Sequence, residues 1–273
     1  MMKTSNMIGT TKTNHLNMTS NTTLPIREIA LAPSVRAIFS KRGTDDHSNP
    51  YAGFNICHYT GDDTQHIDEC RQQLCTHLGI NAEQLIIPRQ THSTNIAVID
   101  SVPFDPDSLI DVDALVTNLK GVALVINTAD CVPILLAEEN AGVIAAAHSG
   151  WRGTFGNIAA KTVQKMVELG ASPLRIKAYI GPSICWECFE VGNDVVLKFR
   201  QVFGYNRDIL KFKHFKSHID LQEACRQQLV KAGVVNNNIT LSGICSHCNP
   251  KQYFTARTHG IKSGRTASLI IQE

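Results

Sequence analysis

The sequence predicts a mixed α and β fold in which helices pack on the outside of buried sheets. Apolar runs typical of strands alternate with longer segments of helical periodicity. Two of the runs, GVALVI at 121–126 and GVIAAA at 142–147, are apolar at nearly every position, as in strands covered on both faces. Glycines stand where helix C-caps belong, at Gly79, Gly170 and Gly233. A chain of 273 residues with 43% hydrophobic content can bury one sizeable core or two small fused ones.

In chain order, strands are predicted wherever short apolar or β-branched runs lie between turn residues. These strands span 34–39, 84–88, 94–99, 112–117, 121–126, 132–137, 142–147, 175–180, 239–244 and 267–271. Helices are predicted at 64–79, 155–169, 192–203 and 220–232, where apolar residues recur at helical spacing. Residues 1–24 are rich in Thr, Asn, Ser and Met and bury little, so we expect a disordered tail before a single domain over 25–273.

Charge and cysteine content narrow the function classes. The charged fraction is 18%, the net charge is +2, and the basic residues are scattered, so we expect neither a nucleic-acid nor a membrane partner. The first twenty residues lack the apolar region of a secretory signal, and no apolar run reaches the length of a membrane span. We therefore expect a cytoplasmic protein whose nine cysteines are reduced.

Three polar residues stand at the ends of predicted strands: His92, Cys131 and His148. Mixed sheets commonly place ligand groups at strand ends. Two histidines and a cysteine are good zinc ligands, and a three-ligand set leaves a fourth position for water or substrate. Separations of 39 and 17 residues match no short metal motif, however. A core cysteine and two hydrogen-bonded turn histidines therefore stay an open alternative on spacing alone.

The turn after His148 reads SGWRG. Gly150 and Gly153 allow a close approach of the backbone to a ligand, and a helix starting near Thr154 would offer free amides to an anion. Arg152 would offer a bidentate fork to phosphate or carboxylate. The alternative is a tight strand-to-helix connection in which Trp151 fills the core.

Two CxxC pairs, Cys185/Cys188 and Cys245/Cys248, with His247 inside the second, suggest a structural zinc knot. The 56 residues between the pairs exceed the usual separation of roughly 15 to 20, which favours ordinary thiols instead.

Two loops rich in glycine and basic residues complete the candidates. The late loop, within YFTARTHGIKSGRTASLI, carries Arg257, His259, Lys262 and Arg265. The early loop, FSKRGTDDHSNPYAGFN, carries Arg42 and Asn55. Each is either a set of cations for an anionic substrate or a solvated basic loop, which in the late case would precede an edge strand.

Several familiar sites are excluded by missing motifs. The chain has no GxGxxG after a strand and no GxxxxGK[ST], so it lacks those nucleotide cradles. It also lacks HExxH, GxSxG, and the HxE with PCxxC of zinc deaminases of the cytidine type.

Taken together, QTHS, TADCVPILLAE, AAAHSGWRG, IGPSICWECFEVG and FTARTHGIKSGR resemble the YfiH/YlmD family, also called polyphenol oxidase or laccase-domain proteins. The resemblance runs in order from about Phe39 to Leu269. It implies a four-layer α-β-β-α sandwich with mixed sheets, and it implies that the family's zinc ligands fall on His92, Cys131 and His148.

The same resemblance implies a purine nucleoside phosphorylase acting on adenosine, inosine and S-methyl-5′-thioadenosine, with adenosine deaminase activity. Its substrates would be a purine nucleoside and phosphate. The residues that match the family's loops for substrate or phosphate binding are Arg42, Asn55, Arg152, Arg257 and Arg265. The chain departs from the family at HSGWRG, which commonly reads HAGWRG, and at Thr258, which replaces a second arginine. Cys185 and Cys188 inherit no role.

Ligand chemistry separates the laccase and phosphorylase interpretations. A multicopper oxidase needs paired HxH motifs, and this sequence contains none, although a single His/Cys/His centre can still take copper in place of zinc. A weak copper-dependent polyphenol oxidase is therefore one alternative. A second is a hydrolase or amidase editing cell-wall precursors, with Cys131 as nucleophile and His148 as base. A third is a zinc protein without catalysis.

Asp130, directly before Cys131, would orient a ligand histidine or cap a turn.

Overall fold

The computed structural model of the chain describes residues 23–46 and 48–273. The tail predicted over residues 1–24 lies outside the described residues, apart from its last two. Of those two, Leu24 packs against an apolar cluster of the domain.

The secondary structure alternates strands and helices, as predicted. The strands are β1 (Ile26–Ala32), β2 (Val35–Ser40), β3 (Leu85–Ile86), β4 (Ile96–Ile99), β5 (Ala114–Thr117), β6 (Ala123–Thr128), β7 (Val132–Glu138), β8 (Val143–Ser149), β9 (Lys177–Ile180), β10 (Leu210–Lys213), β11 (Lys216–Ile219), β12 (Ile239–Leu241) and β13 (Thr266–Gln272). The helices are α1 (Thr64–Leu78), α2 (Trp151–Phe155), α3 (Ile158–Glu168), α4 (Asn193–Phe203), α5 (Leu221–Lys231) and α6 (Ala256–His259). Among the described residues, none of these helices is both long enough and apolar enough to cross a bilayer.

Two mixed sheets form the centre of the fold. A five-stranded sheet has the order β1-β2-β13-β6-β3, and a six-stranded sheet has the order β12-β9-β7-β8-β5-β4. Most neighbours are antiparallel, but β3 pairs with β6, β4 with β5 and β12 with β9 in parallel. The mixed sheets predicted from the resemblance are therefore confirmed.

Alternate side chains of each sheet enter different apolar clusters, which fixes the order of the layers. Phe39 of β2 and Tyr179 of β9 meet between the sheets, with ring centroids 5.1 Å apart. On the outer face of the five-stranded sheet, Leu74 of α1 packs in a cluster with Val125 of β6. On the outer face of the six-stranded sheet, α3, α4 and α5 share a cluster with residues of β7 and β8 such as Ala145. The layers therefore run helix, sheet, sheet, helix.

The strands β7 and β8 are buried at all seven of their positions. They lie in the middle of the six-stranded sheet, with the second sheet on one face and helices on the other. This environment explains their uninterrupted apolar sequences. It also means that a polar residue at the end of either strand is held by rigid, close-packed backbone.

The predicted helix ends agree with the structure. Gly79 caps α1 with φ 68°, and its N–H donates to the carbonyls of Cys75 and Thr76. Gly170 and Gly233 follow one residue after the C-caps of α3 and α5, with φ of 98° and 95°. Only glycine adopts such angles without strain.

Four features differ from the prediction. The edge strand β1, IREIALA, was missed because charged residues interrupt its apolar pattern, and the lysine-rich hairpin β10–β11 was missed for the same reason. The single helix predicted at 155–169 is split into α2 and α3, because Asn157 has φ 65° and breaks the helix. The last strand, β13, is not an edge strand, since β2 and β6 flank it.

Candidate metal centre

The structure brings His92, Cys131 and His148 together at one end of the sheets. His92 lies in the loop between β3 and β4, Cys131 lies in the turn between β6 and β7, and His148 belongs to β8. Each offers one ligand atom, and the three atoms lie within 4.8 Å of one another. Cys131 Sγ is 3.7 Å from His92 Nε2, and the two imidazole rings meet edge to face at 4.9 Å.

Asp113, directly before β5, organises the centre from behind. Its fully buried carboxylate accepts hydrogen bonds from three successive backbone amides, those of Thr91, His92 and Ser93, at 3.1, 3.0 and 2.8 Å. Ser93 Oγ adds a fourth bond at 2.8 Å. The carboxylate therefore fixes the loop in which His92 adopts φ 67°, a left-handed conformation that is uncommon for a residue other than glycine.

The same carboxylate orients the second histidine. Asp113 Oδ1 lies 2.6 Å from His148 Nδ1, and the backbone N–H of His148 donates to the carbonyl of Asp113 at 2.7 Å. With Nδ1 engaged, the Nε2 atom of His148 faces the other two ligands. A carboxylate behind a histidine is the usual means by which proteins set the tautomer and direction of a metal ligand.

Electrostatics favour charged side chains at this buried position. Burial opposes ionisation of Asp113, but hydrogen bonds from His148, Ser93 and the Thr91 amide outweigh it and lower its pKa to about 2. Burial likewise opposes the charge on His148, yet Cys131 and Asp113 together raise its pKa to about 9. Burial also opposes the Cys131 thiolate, and the two histidines overcome this and lower its pKa to about 6. The metal-free centre thus favours a Cys131 thiolate beside a protonated His148, and the thiolate is the form of cysteine that binds a metal or acts as a nucleophile.

Gly150 gives the ligands the room to converge. A Cβ atom at this position would lie 2.7 Å from His92 Cδ2 and 3.0 Å from Cys131 Sγ, so any side chain would displace them. The helix after this glycine begins at Trp151, not near Thr154 as predicted, and Gly150 is its N-cap. The close backbone approach predicted for the SGWRG turn is therefore real at Gly150, although the groups it approaches are the ligands themselves.

The donor set fits a zinc ion. Zinc bonds of about 2.0–2.1 Å to nitrogen and about 2.3 Å to sulfur at tetrahedral angles place N and S about 3.6 Å apart. The observed separation of Cys131 Sγ and His92 Nε2 is 3.7 Å. His148 is buried whereas His92 is exposed, so the fourth position of such a site opens outward. Three protein ligands with one open position is the arrangement of catalytic zinc.

The open side faces a cavity of about 730 Å³. Three cations line it, namely Arg257, Lys262 and Arg265. The apolar part of the wall is formed by aromatic and aliphatic side chains, among them Phe189 and Ile184. The volume suits a drug-sized or nucleoside-sized ligand, and the cations favour an anionic group on it.

One polar corner of the cavity went unnoticed in the sequence. Asn127, at 3% exposure, lines the cavity, and its side-chain nitrogen and oxygen have no hydrogen-bond partner within the described part of the chain. The side chain of Gln90 donates to the backbone carbonyl of Asn127 and accepts from its backbone amide, both at 2.8 Å. The hydroxyl of Tyr59 donates to the side chain of Gln90 at 3.2 Å. Buried amide groups are normally satisfied, so an unsatisfied one in a cavity wall indicates a ligand that pairs with it. The available signal was a single asparagine closing the apolar run GVALVI.

Two of the predicted anion-binding residues lie elsewhere. Arg42 is fully buried, and its guanidinium donates to backbone carbonyls, including those of Asn49 at 3.0 Å and Ala52 at 3.3 Å. It lines a separate cavity of about 500 Å³. Asn55 is also buried, and it donates to Asp62 at 2.7 Å and accepts from the backbone of Arg265 at 3.1 Å. Arg42 holds the early loop together, and Asn55 joins that loop to Arg265, which lines the metal cavity.

Arg152 also lies apart from the metal cavity. Its guanidinium lies over the ring of Trp151 at 4.2 Å, and the described residues that line the cavity do not include it. Arg257 and Arg265 both line the cavity. Arg265 is braced by its own loop, with donations to the carbonyls of Ser263 at 2.6 Å and Ile261 at 2.9 Å.

Asp130 orients no ligand histidine among the described contacts; Asp113 has that position instead. The Asp130 carboxylate accepts from Ser246 Oγ at 2.7 Å and from the Arg257 amide at 2.8 Å. Its backbone carbonyl accepts from Ile184 at 2.9 Å. Asp130 therefore ties two later segments of the chain to the turn that carries Cys131.

The two CxxC pairs also meet, which the 56 residues between them argued against. The Sγ atoms of Cys185, Cys188, Cys245 and Cys248 lie within 4.8 Å of one another. His247 is hydrogen-bonded to Thr258 at 2.9 Å and lies outside this group. Within residues 23–46 and 48–273, this group and the His/Cys/His centre are the metal-ligand clusters, so the described chain offers no second histidine cluster of the kind a multicopper oxidase needs.

Comparison with known proteins gives a consistent result. Residues 36–273 match the family described as multi-copper polyphenol oxidoreductase laccase. The chain is 45% identical to adenosine deaminase RL5 from an unknown prokaryotic organism, over 88% of this chain and 94% of the relative. It is 40% identical to a purine nucleoside phosphorylase of Bacteroides thetaiotaomicron, over 81% and 85% of the two chains. The crystal structure of YlmD from Geobacillus stearothermophilus superposes with a TM-score of 0.82 at 28% identity, over 90% and 94% of the two chains.

Proposed function

The chain belongs to the YfiH/YlmD family of laccase-domain proteins, and on that premise we propose that it is a metal-dependent purine nucleoside phosphorylase. The observation that carries the proposal is one cavity that joins a His/Cys/His donor set, three cations and an unsatisfied buried amide. The substrates are a purine nucleoside, among them adenosine, inosine and S-methyl-5′-thioadenosine, and inorganic phosphate. The names of the related proteins support this substrate class.

The reaction needs the charges that the cavity provides. A phosphate oxygen forms a bond to C1′ of the ribose, and the C1′–N9 bond breaks with its electron pair passing to the purine, which then takes a proton. The products are the free base and ribose 1-phosphate. Arg257, Lys262 and Arg265 bind the phosphate and lower the repulsion it meets on approaching the sugar. The bracing of Arg265 by its loop carbonyls orients that cation before phosphate arrives.

We assign recognition of the base to Asn127, which lies in the cavity wall beside Gln90. The side chain of Asn127 has a donor and an acceptor to spare, which matches the paired hydrogen-bonding groups on the edge of a purine. Phe189 and Tyr59 supply the flat apolar surfaces against which a purine stacks. A ligand held there pairs the amide that the protein alone leaves unsatisfied.

His92, Cys131 and His148 would hold a zinc ion, which would supply Lewis acidity for the activation of water or the stabilisation of the leaving purine. The protein's own part is to hold those ligands in position. Asp113 does this for His148 through Nδ1 and for His92 through its backbone amide.

Deamination of adenosine fits the same cavity as a second activity. Water replaces the amino group at C6, and ammonia leaves. C6 and N9 lie on different rings of the purine, so the two reactions require two orientations of the base. A cavity of about 730 Å³ accommodates both. The relative named adenosine deaminase RL5 supports this activity.

One observation favours a different function. Without metal, the centre holds a Cys131 with a pKa lowered to about 6 beside a protonated His148, which resembles the thiolate pair of cysteine hydrolases and amidases. Covalent trapping of Cys131 by an acyl-type substrate analogue in metal-free protein would support that function. The convergence of His92 on the same sulfur favours the metal centre.

The test is product analysis. Purified protein is incubated with adenosine, with and without phosphate, and the products are separated by chromatography. Adenine and ribose 1-phosphate that appear only with phosphate support phosphorolysis, and inosine in either sample reports deamination. The absence of adenine, hypoxanthine and inosine from both samples would contradict the proposal.

A further inference from the structure

The sulfur cluster of Cys185, Cys188, Cys245 and Cys248 lies beside the cavity but outside the centre described above. Each pair belongs to a turn at the end of a strand: the first follows β9 and the second follows β12. Those strands are parallel neighbours, and a further parallel bridge joins Ser183 to Cys245. Both turns therefore leave the same edge of the six-stranded sheet, side by side.

This topology removes the objection from spacing. The 56 residues between the pairs include α4, the β10–β11 hairpin, α5 and β12, which together form the crossover from one parallel strand to the next. A parallel pair always needs such a connection, commonly a helical one. The distance along the chain thus reflects the crossover and says nothing against a shared site.

The geometry within the cluster is that of two metal-binding knuckles. The four Sγ atoms lie within 4.8 Å of one another, and Cys188 Sγ is 3.4 Å from Cys248 Sγ. Sulfurs on a tetrahedral zinc lie about 3.8 Å apart. The backbone amides of Cys185 and Cys248 both donate to Cys245 Sγ, at 3.3 and 3.4 Å. Amide donors of this kind stabilise a thiolate rather than a thiol.

We propose that these four cysteines bind a second zinc ion, independent of the proposed function. This ion holds together the turns after β9 and β12, which contact the wall of the cavity. A set of four thiolates is closed, so the site is structural and has no position for substrate. Zinc binding forms four Zn–S bonds and releases the thiol protons to solvent, without any redox change.

The link from the cluster to the cavity is direct. Ile184 and Phe189, which line the cavity, flank the first CxxC pair. Ser246, inside the second pair, donates to Asp130, next to the metal ligand Cys131, and its backbone amide donates to the carbonyl of Ser183 at 3.1 Å. A metal ion between the pairs therefore restrains both turns where they meet the active-site wall.

The experiment measures zinc per chain in the purified, reduced full-length protein by elemental analysis. We expect about two zinc ions in the wild type, one in Cys188→Ser/Cys248→Ser, and one in Cys131→Ser. Cys75→Ser, which changes a cysteine of α1 outside both groups, serves as the matched control and keeps both ions. X-ray absorption at the zinc edge of Cys131→Ser should show four sulfurs at about 2.3 Å.

The Cys131→Ser arm keeps the test decisive even if the double variant does not fold, because it leaves all four cluster cysteines in place. Unchanged zinc in the double variant would overturn the proposal. So would a zinc-free Cys131→Ser protein, or residual zinc there without four sulfur ligands. A disulfide between the pairs in protein purified without added reductant, seen as an intact mass lowered by the loss of two hydrogens, would overturn it as well.

Discussion

The role of Asp113 gives a prediction whose size follows from its contacts. In Asp113→Asn one carboxylate oxygen becomes an NH₂ group. If the remaining oxygen faces His148 and His92, the amides of Thr91 and Ser93 lose their acceptor. Two unsatisfied amides at ~1–3 kcal/mol each cost about 2–6 kcal/mol. If the side chain turns the other way, His148 Nδ1 must accept a hydrogen bond, its Nε2 carries the proton, and the ligand is lost.

The pKa of Asp113 gives a second estimate of the same interactions. Asparagine mimics the protonated acid, and a folded pKa of about 2 against an unfolded value of 3.8 corresponds to about 2 kcal/mol of stability at neutral pH. Because the folded pKa is the lower one, this contribution is present above pH 4 and is lost as the pH falls toward 2. About 1 kcal/mol of it is gone by pH 3.

The assay combines urea unfolding at pH 7 and pH 3 with a chelator competition for zinc. We expect Asp113→Asn to lower the unfolding free energy by about 2–4 kcal/mol at pH 7, and the deficit to shrink at pH 3. We expect zinc affinity and activity to fall by roughly 10–100-fold. Asp100→Asn, at an exposed aspartate after β4, is the matched control with no change expected. Wild-type zinc affinity in the Asp113 variant would refute the reasoning.

The remaining predictions concern the ligands and the cavity. Gly150→Ala should fold, since its backbone is extended rather than left-handed, but it should weaken zinc binding at least roughly tenfold in the same chelator competition. Arg257→Ala should raise the KM for phosphate roughly tenfold or more, because it removes a cation from the cavity wall. Arg152→Ala is the control and should leave this KM within about twofold. It should lose only the stacking of Arg152 on Trp151, which is worth ~0.5–1 kcal/mol of stability. Asn127→Ala should raise the KM for the nucleoside by about 5–50-fold with little effect on the KM for phosphate, and an equal effect on both would contradict a base-recognition role.

The sequence was sufficient to predict the architecture where strands are buried on both faces. The runs that became β6, β7 and β8 are apolar at consecutive positions, and this pattern identifies central strands with helices outside. The edge strand β1 and the hairpin β10–β11 have one face in water and carry charges there, so their apolar signal is too weak to separate from loops.

The site was predictable in part for a related reason. Each of the three ligands His92, Cys131 and His148 closes or precedes a recognisable strand, and strand ends are where mixed sheets place ligand groups. The order of the family motifs then indicated that these three residues form one site. Asp113 was missed because nothing local distinguishes it from the exposed Asp111 two residues earlier. What separates them is burial against the loop of His92, which only the fold creates.

Two differences between expectation and structure arise because the sequence around a residue does not report what surrounds that residue in the fold. Arg42 matched a family loop and is an arginine, yet the fold surrounds it with carbonyls and spends its donors on them. The two CxxC pairs were judged too far apart, yet a parallel crossover brings them together.

Phosphorolysis at the His92/Cys131/His148 centre is tested by comparing the wild type with a variant that lacks one ligand. Phosphate-dependent release of adenine from adenosine is measured for the wild type and for His148→Ala, with circular dichroism showing that both are folded. We expect release by the wild type and a loss of at least about 100-fold in the variant, because removal of a ligand also leaves Asp113 without its partner. A folded His148→Ala protein that releases adenine at the wild-type rate would contradict it.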